Sequence, residues 1–304
     1  MPDSIAPPRL GKQSMAWFCG WVECRRIQDI HASNASHTIR QQDNRDPMND
    51  EPKSIHEFDF TMICEYFSGL ERQGPGSRDA TLKALSFVDN LTPESETADL
   101  GCGTGGQTMV LAEHAPGQIT GLDLFGDFID IFNTNCLQKN LQERVKGIVG
   151  SMDSLPFEKA SLDLIWSEGA IYNIGYERGL NAWREYLKPG GFLAVSEASW
   201  FTDSRPTEID RYWNDAYPEI DTIPTKVRQM QEAGYVPVAS FVLPTTCWID
   251  QFYAPQVPAQ MKFLGKYRGN ETAEELVKAQ RHEADLYRRY HDFYGYVFYI
   301  GKRL

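Results

Sequence analysis

Between residues 96 and 197, short apolar runs alternate with longer segments whose apolar residues recur at helical spacing. Glycine or polar residues bound most of these segments, as expected for strands and helices that alternate along a chain. The predicted strands are Glu96–Leu100, Gln118–Leu122, Val145–Gly150, Leu162–Ser167 and Phe192–Glu197, and the predicted helices are Gly105–His114, Phe125–Asn140 and Gly175–Leu187. This order predicts an α/β fold with a mainly parallel sheet and helices on both faces.

The flanking segments predict further helices and two more strands. Before the sheet, helices over Ile55–Leu70 and Arg78–Leu91 form a predicted N-terminal helical cap of residues 55–91, broken by the turn Gln73–Ser77. This turn is either a simple connector or a flap over a bound ligand. After the sheet, the pattern predicts helices Thr207–Tyr217 and Thr225–Ala233, strands Val236–Leu243 and Tyr294–Ile300, and a helical insertion or lid over residues 244–292 that contains the helix Glu271–Tyr290.

Composition narrows the classes of protein that this chain represents. A chain of 304 residues with 41% hydrophobic residues can bury a sizeable core, and we expect one domain over residues 48–304. Residues 1–47 are polar and turn-rich, which indicates a dispensable disordered extension, with a targeting segment as the alternative. The net charge of −12 argues against a nucleic-acid partner. No apolar run reaches the roughly 18 residues that stable membrane insertion requires.

The six cysteines are scattered, without a C-x-x-C pair or a neighbouring histidine set. The sequence therefore predicts no metal site and no disulfide framework. A reducing, cytoplasmic location fits this pattern.

The most informative segment is a glycine-rich turn after the first predicted strand. Asp99 precedes Gly101, Gly103 and Gly105, and a second acid, Asp123, follows the next strand. Glycines permit positive φ angles and close approach of a ligand to the main chain. Gly101, Gly103 and Gly106 also satisfy the dinucleotide pattern G-x-G-x-x-G. An acid at Asp99 would repel a pyrophosphate, whereas it would attract the ammonium and sulfonium groups of S-adenosylmethionine, so the charge favours the sulfonium cofactor.

Asp99-x-Gly101-x-Gly103-x-Gly105 resembles the first motif of the class I S-adenosylmethionine-dependent methyltransferases. The later segments resemble further motifs of that superfamily in the same order: Gln118–Leu124, Gly150–Phe157, Ser161–Ser167 and Trp183–Leu193. Within it, the chain is most similar to the small-molecule methyltransferases of the ubiquinone and menaquinone biosynthesis group, from about Met48 to the C-terminus. The resemblance implies a Rossmann-like seven-stranded sheet whose last strand inserts antiparallel between its neighbours.

The resemblance also implies a role for each cofactor-binding residue. Asp99 would meet the methionine amino group, the three glycines of the turn would give close approach, and Asp123 would accept from the ribose hydroxyls, with capping of the next helix as its alternative role. Leu124 would pack on the adenine, the Met152 N–H would meet a ring nitrogen, and Asp153 would accept from the exocyclic amine. The remaining residues assigned to cofactor binding are Ser167, at the end of the fourth strand, and Gln73, in the candidate flap.

Glu168 is the candidate catalytic residue because it directly follows the fourth strand. It would act as a general base or hold a substrate amine or hydroxyl, or else it would only cap the next helix. The Asn/Asp-Pro-Pro-Tyr/Phe motif of methyltransferases that act on amide or base nitrogens is absent here, which disfavours a nucleobase or glutamine substrate.

The sequence thus predicts methyl transfer to a small molecule at an undetermined O, N or C atom. The alternatives are a nicotinamide-dependent oxidoreductase and a non-catalytic S-adenosylmethionine-binding protein. Homodimerisation is left open.

Overall fold

The computed structural model describes residues 60–304. Its helices are α1 Phe60–Ser68, α2 Arg78–Leu85, α3 Gly106–His114, α4 Gly126–Gln138, α5 Tyr176–Arg184, α6 Thr207–Ala216, α7 Ile223–Glu232, α8 Thr245–Trp248, α9 Ala254–Lys266 and α10 Glu271–Tyr290. Its strands are β1 Glu96–Leu100, β2 Gln118–Asp123, β3 Val145–Val149, β4 Leu162–Glu168, β5 Leu187–Trp200, β6 Asp221–Thr222, β7 Tyr235–Val242 and β8 Tyr294–Arg303. The extension predicted for residues 1–47 and the start of the helix predicted from Ile55 lie outside the described residues.

The sheet has the strand order β3-β2-β1-β4-β5-β8-β7, and the two-residue β6 pairs with β5 beside this path. Strands β1 to β5 pair with one another in parallel, whereas β8 is antiparallel to both β5 and β7. The predicted Rossmann-like fold with an antiparallel last strand is therefore confirmed, and β6 adds a short eighth strand to the predicted seven.

Helices cover both faces of the sheet. Along β5 the buried side chains alternate: Ala194 belongs to one hydrophobic cluster, whereas Leu193 and Val195 belong to the other. The first cluster includes side chains of α1, α4 and α10, and the second includes side chains of α5 and α7. Because successive residues of a strand point to opposite faces, this division means that both faces are buried under helices.

The bounds of two predicted elements differ most from the structure. The helix predicted over Arg78–Leu91 ends at Leu85, and the chain then turns so that Val88 and Leu91 pack against the core from a non-helical segment that includes Asn90 at φ 62°. Strand β5 begins before and ends after the predicted Phe192–Glu197, because Leu187 pairs with Leu162 of β4 and because β8 pairs with β5 as far as Trp200. A partner about 100 residues away extends this strand.

The helical insertion over residues 244–292 contains more helix than predicted. Besides α10, it holds α8, a π-helical turn at Ile249–Tyr253 and α9. The Tyr66 hydroxyl of α1 donates to Gln256 Oε1 at 2.8 Å and accepts from Gln260 Nε2 at 3.1 Å. These buried bonds connect the insertion to the described part of the N-terminal helical cap.

None of the helices between Phe60 and Leu304 is both long enough and apolar enough to cross a bilayer.

Candidate active site

The glycine-rich turn crosses the carboxyl end of β2. Gly101, Gly103 and Gly105 have φ angles of 75°, 54° and 93°, a region that side chains with a Cβ rarely adopt. The Gly101 and Cys102 N–H groups both donate to Leu122 O, at 2.8 and 3.1 Å. These two bonds fix the turn at the carboxyl end of the strands, where ligands of parallel α/β sheets bind.

Asp123 connects this turn to the start of α4. Its Oδ2 accepts from the Gly103 N–H at 2.9 Å, and its Oδ1 accepts from the Phe125 N–H at 3.1 Å. The side chain is only 7% exposed, and burial raises its pKa while these backbone donors oppose the rise. The two bonds orient a carboxylate at the entrance of a cleft.

That cleft, the cofactor cleft, has an empty volume of about 940 Å³ and is bounded by the glycine-rich turn, the Gln73–Pro75 segment and the end of β4. Of the predicted site residues, seven line it: Gln73, Gly101, Gly103, Asp123, Leu124, Met152 and Glu168. Leu124 is 43% exposed, which is unusual for leucine and leaves an apolar face open to the cleft. The structure thus brings residues from five segments of the sequence to one cavity.

Asp99 lies behind the glycine-rich turn and does not line the cofactor cleft. Its carboxylate is fully buried, with Oδ2 accepting from the Thr108 hydroxyl at 2.5 Å, and Oδ1 has no hydrogen-bond partner among the described residues. Burial raises the pKa of Asp99 to about 7, and the nearby Glu168 charge adds to the rise. A buried acid with one unsatisfied oxygen is suited to a cation or a water-mediated donor.

The other three predicted site residues make structural contacts. The Ser167 hydroxyl donates to Leu100 O at 2.8 Å inside the sheet. Asp153 forms an ion pair with Arg178 at 2.7 Å. Gly105 faces the core, since a Cβ there would lie 2.7 Å from the Phe132 ring.

Gln73 connects the candidate flap to the glycine-rich turn. Its Oε1 accepts from the Thr104 N–H at 3.0 Å, while its Nε2 donates to Leu70 O and to Thr104 Oγ1, each at 3.0 Å. A Cβ on Gly103 would lie 2.1 Å from Gln73 Oε1. Glycine at 103 is therefore required for this contact.

Glu168 is part of a buried polar cluster. Its Oε2 pairs with Arg72 Nη1 at 2.8 Å, and its Oε1 accepts from Thr81 Oγ1 at 2.6 Å and from Trp166 Nε1 at 3.0 Å. The side chains of Arg72 and Glu168 are only 8% and 4% exposed. The Glu168 carboxylate thus accepts from three donors, one of which is its paired cation Arg72. The sequence analysis missed Arg72 and Thr81, because nothing in the chain pattern connects residues 72 and 81 with residue 168.

A second cavity, the acceptor pocket, adjoins the cofactor cleft and has an empty volume of about 600 Å³. The two cavities share five lining residues: Gln73, Gly74, Pro75, Gly169 and Tyr172. The far wall comes from the helical insertion and includes Trp248, Phe252, Leu276 and Glu283. Glu283 is 5% exposed and accepts from the Tyr253 hydroxyl at 3.0 Å, and burial raises its pKa to about 7.

The sequence analysis did not single out Glu283, although the sequence held a signal. Residues 276, 280, 283 and 287 fall on one face of α10, and Leu276 and Tyr287 are buried there. An acid on the apolar face of an amphipathic helix indicates a buried carboxylate, and a buried carboxylate is rarely found without a hydrogen-bond or charge partner.

In the part of the chain from Phe60 onward, no three histidine, cysteine or acidic side chains are grouped so as to hold a metal ion. The four cysteines in that range are buried and free.

Known proteins that are similar to this chain are methyltransferases. Residues 98–191 match the family model described as "Methyltransferase domain". Erythromycin 3''-O-methyltransferase of Saccharopolyspora erythraea is 28% identical over 51% of this chain and 55% of its own length. Demethylmenaquinone methyltransferase of Lactococcus lactis is 32% identical over 40% of this chain and 48% of its own length. The chain thus spans about half the length of these curated relatives.

Among solved structures, a S-adenosylmethionine-dependent methyltransferase from Geobacter sulfurreducens in complex with S-adenosyl-L-homocysteine superposes with a TM-score of 0.70. The match covers 80% of this chain and 98% of that chain. Because the two sequences are only 17% identical, the match shows a shared fold and nothing further.

The fold is that of the class I S-adenosylmethionine-dependent methyltransferases, as the sequence motifs predicted. Residues 98–191 are accordingly similar to a methyltransferase domain. The nicotinamide oxidoreductase and the non-catalytic binding protein gain no support from these comparisons.

Proposed function

We propose that this protein transfers a methyl group from S-adenosylmethionine to a small molecule held in the acceptor pocket. The observation that carries the proposal is the pair of adjoining cavities, one against the glycine-rich turn and one under the helical insertion, with a common wall at Gln73–Pro75, Gly169 and Tyr172. Methyl transfer needs a donor site and an acceptor site that meet, because orientation of the two reactants supplies much of the rate enhancement.

The residues of the cofactor cleft fit S-adenosylmethionine. The unsatisfied Asp99 Oδ1 suits a water-mediated link to a cationic amino group, and the Cβ-free Gly101 and Gly103 allow close approach. When bound, the cofactor supplies a methyl group on a positively charged sulfur. We assign ribose binding to Asp123, and adenine binding to the open face of Leu124 together with the Met152 N–H.

Asp153 and Ser167 have weaker support as cofactor ligands. Asp153 would have to accept from the adenine amine while it pairs with Arg178, and Ser167 supports the turn through Leu100 O. Gly105 contributes by packing on Phe132.

For Glu168 we propose a positioning role in place of a role as general base. Its ion pair with Arg72 and its bond from Thr81 hold the N-terminal helical cap against the end of β4. Arg72 is followed directly by Gln73, whose amide contacts the glycine-rich turn. The cluster thus keeps the Gln73–Pro75 segment over the cleft, where it excludes water.

The small-molecule acceptor is consistent with the relatives, whose names include a demethylmenaquinone and an erythromycin methyltransferase. Among the described residues that line the acceptor pocket, aromatic side chains predominate over polar ones. Such walls suit a compact, partly apolar molecule.

Calorimetry of S-adenosylmethionine binding tests the proposal. Asp123→Ala should lower the affinity by about tenfold to a hundredfold, because a charge-assisted acceptor is worth roughly 1–3 kcal/mol. Asp130→Ala, at an exposed position on α4, is the matched control and should bind as the wild type does. Equal affinities for the Asp123→Ala variant and the wild type would refute the ribose assignment, and no binding by the wild type would refute the proposed function. A screen with isotopically labelled cofactor against amines, phenols and quinol precursors then identifies the acceptor class.

A further inference from the structure

The acceptor pocket has a distinctive charge pattern. Among the described residues that line it, Glu283 is the only one with a charged side chain, and no lysine or arginine is present. The nearest cation of the neighbouring cofactor cleft, Arg72, is already paired with Glu168 at 2.8 Å. An anionic acceptor would therefore meet a negative charge and no available positive one.

Glu283 is incompletely balanced for a buried carboxylate. Its one hydrogen bond from a described residue is donated by Tyr253 to Oε1. One turn earlier on α10, the side-chain oxygen Oε1 of Gln280 is buried without a hydrogen-bond partner among the described residues. Two side chains of one helix that can accept hydrogen bonds, Gln280 and Glu283, thus line the same cavity. Both are suited to a ligand that donates hydrogen bonds.

The remaining walls are aromatic and well fixed. Trp248 stacks on Tyr287 with ring centroids 4.3 Å apart and meets Tyr296 edge-on at 4.9 Å. Tyr172, Phe67 and Phe252 complete the enclosure. Aromatic faces attract cations, and the attraction grows when the site is shielded from water.

From this juxtaposition we infer that the acceptor pocket recognises an amine, whose protonated nitrogen meets Glu283 among the aromatic side chains of Tyr172, Trp248, Phe252 and Tyr296. This inference rests on the proposed function, since it names the class of acceptor for the same site. Glu283 is accordingly a specificity-determining residue, which binds the acceptor and rejects anions.

The inference implies a dependence of amine binding on pH. The groups that face Glu283 from the neighbouring elements are tyrosines, and burial raises the pKa of each above its ordinary value, so they stay neutral near pH 7: Tyr66, Tyr172, Tyr253, Tyr294 and Tyr296. The Glu283 carboxyl, with a pKa of about 7, is then the group that ionises in this range. Affinity for an amine should rise between pH 6 and pH 8.

Three ring compounds that differ in charge test the inference: benzylamine, benzyl alcohol and benzoate. Binding is measured by calorimetry at pH 8 in an amine-free buffer, on the full chain saturated with S-adenosylhomocysteine. We expect the wild type to bind benzylamine at least tenfold more tightly than benzyl alcohol and to bind benzoate least. Glu283→Gln should lose at least tenfold in benzylamine affinity with little change for benzyl alcohol. Glu275→Gln, exposed on the same helix, should behave as the wild type does.

Two kinds of failure are distinguishable. If S-adenosylhomocysteine does not bind to the wild type, the proposed function itself fails. If it binds equally to the wild type and to Glu283→Gln, but benzylamine shows no binding or no preference over the alcohol or benzoate, the amine assignment is wrong while the proposed function stands. Unchanged benzylamine affinity in Glu283→Gln also overturns it. Equal cofactor affinity in the two proteins serves as the control for folding of the variant.

Discussion

Glu168 and Glu283 are both buried carboxylates beside adjoining cavities, yet their surroundings differ. Glu168 has a paired cation, Arg72, and two further donors, whereas Glu283 has one donor, the Tyr253 hydroxyl. Burial raises the pKa of Glu283 to about 7 because no described cation compensates its charge. The comparison teaches that two acids of similar burial differ in how far the fold compensates their charge, and we propose a different role for each: Glu168 positions the N-terminal helical cap, and Glu283 binds a ligand.

The largest expected change in the free energy of unfolding comes from breaking the ion pair between Arg72 and Glu168. Glu168→Ala leaves the Arg72 guanidinium buried without a counter-charge, which typically costs about 3–5 kcal/mol of stability. Urea denaturation measures the change in the free energy of unfolding. The double variant Arg72→Met, Glu168→Gln removes both charges and should be less destabilised than Glu168→Ala alone. A free energy of unfolding for Glu168→Ala within about 0.5 kcal/mol of wild type, the range usual for surface substitutions, would contradict a structural role for the pair.

Removal of the Glu283 charge should raise the stability of the folded protein, whereas removal of the Glu168 charge should lower it. The carboxyl pKa of Glu283 is about 7 in the folded protein, against 4.5 as the ordinary value. Below pH 4.5 both states are protonated and there is no penalty. Between pH 4.5 and pH 7 the unfolded chain ionises first, so the stability of the folded state falls, by at most about 3 kcal/mol once the pH exceeds 7.

Glu283→Gln removes that penalty and keeps an oxygen for the Tyr253 hydroxyl. Without acceptor present, the variant should be more stable than the wild type at pH 8, by up to about 3 kcal/mol, and nearly equal to it at pH 4. Thermal denaturation at the two pH values measures the difference, with Glu275→Gln as the exposed control on the same helix. A variant that is less stable than wild type at pH 8 would show that the carboxylate is compensated in the folded protein.

The smallest effect on stability and cofactor affinity is expected from removing residues 1–47. We predict that residues 48–304 form one domain and that removal of residues 1–47, which lie outside the described residues, leaves the melting temperature and the S-adenosylmethionine affinity unchanged. A large drop in either quantity would assign the extension to the fold or to one of the two cavities. Calorimetry and thermal denaturation of the shortened chain decide this.

Local pattern predicted the central elements well. The strands from Glu96 to Leu100 and from Gln118 onward were confirmed nearly residue by residue, because both are of strand length and each is followed by a glycine or polar turn and a segment with helical periodicity. The boundaries that failed depend on distant partners. Strand β5 extends to Trp200 because β8 lies beside it, and after Leu85 the chain leaves the helix, with Val88 and Leu91 packed against the core.

The candidate sites divide in the same way. The glycine-rich turn and Asp123 could be found because the acid, the glycines and the two strands that position them lie within some 25 residues of sequence. The Arg72–Glu168 pair joins residues 96 apart, and Tyr253 reaches Glu283 across 30 residues and a turn between helices. No local periodicity encodes such contacts.

By itself, the sequence determined the fold class and the kind of cofactor, because both follow from local spacing: the alternation of strands and helices, and an acid placed before glycines. Only the tertiary structure decided which carboxylate has a paired cation and which has a single hydrogen-bond donor. The reason is physical, since the charge state of a buried acid depends on the cations and donors that the fold brings within a few ångströms, wherever they lie along the chain.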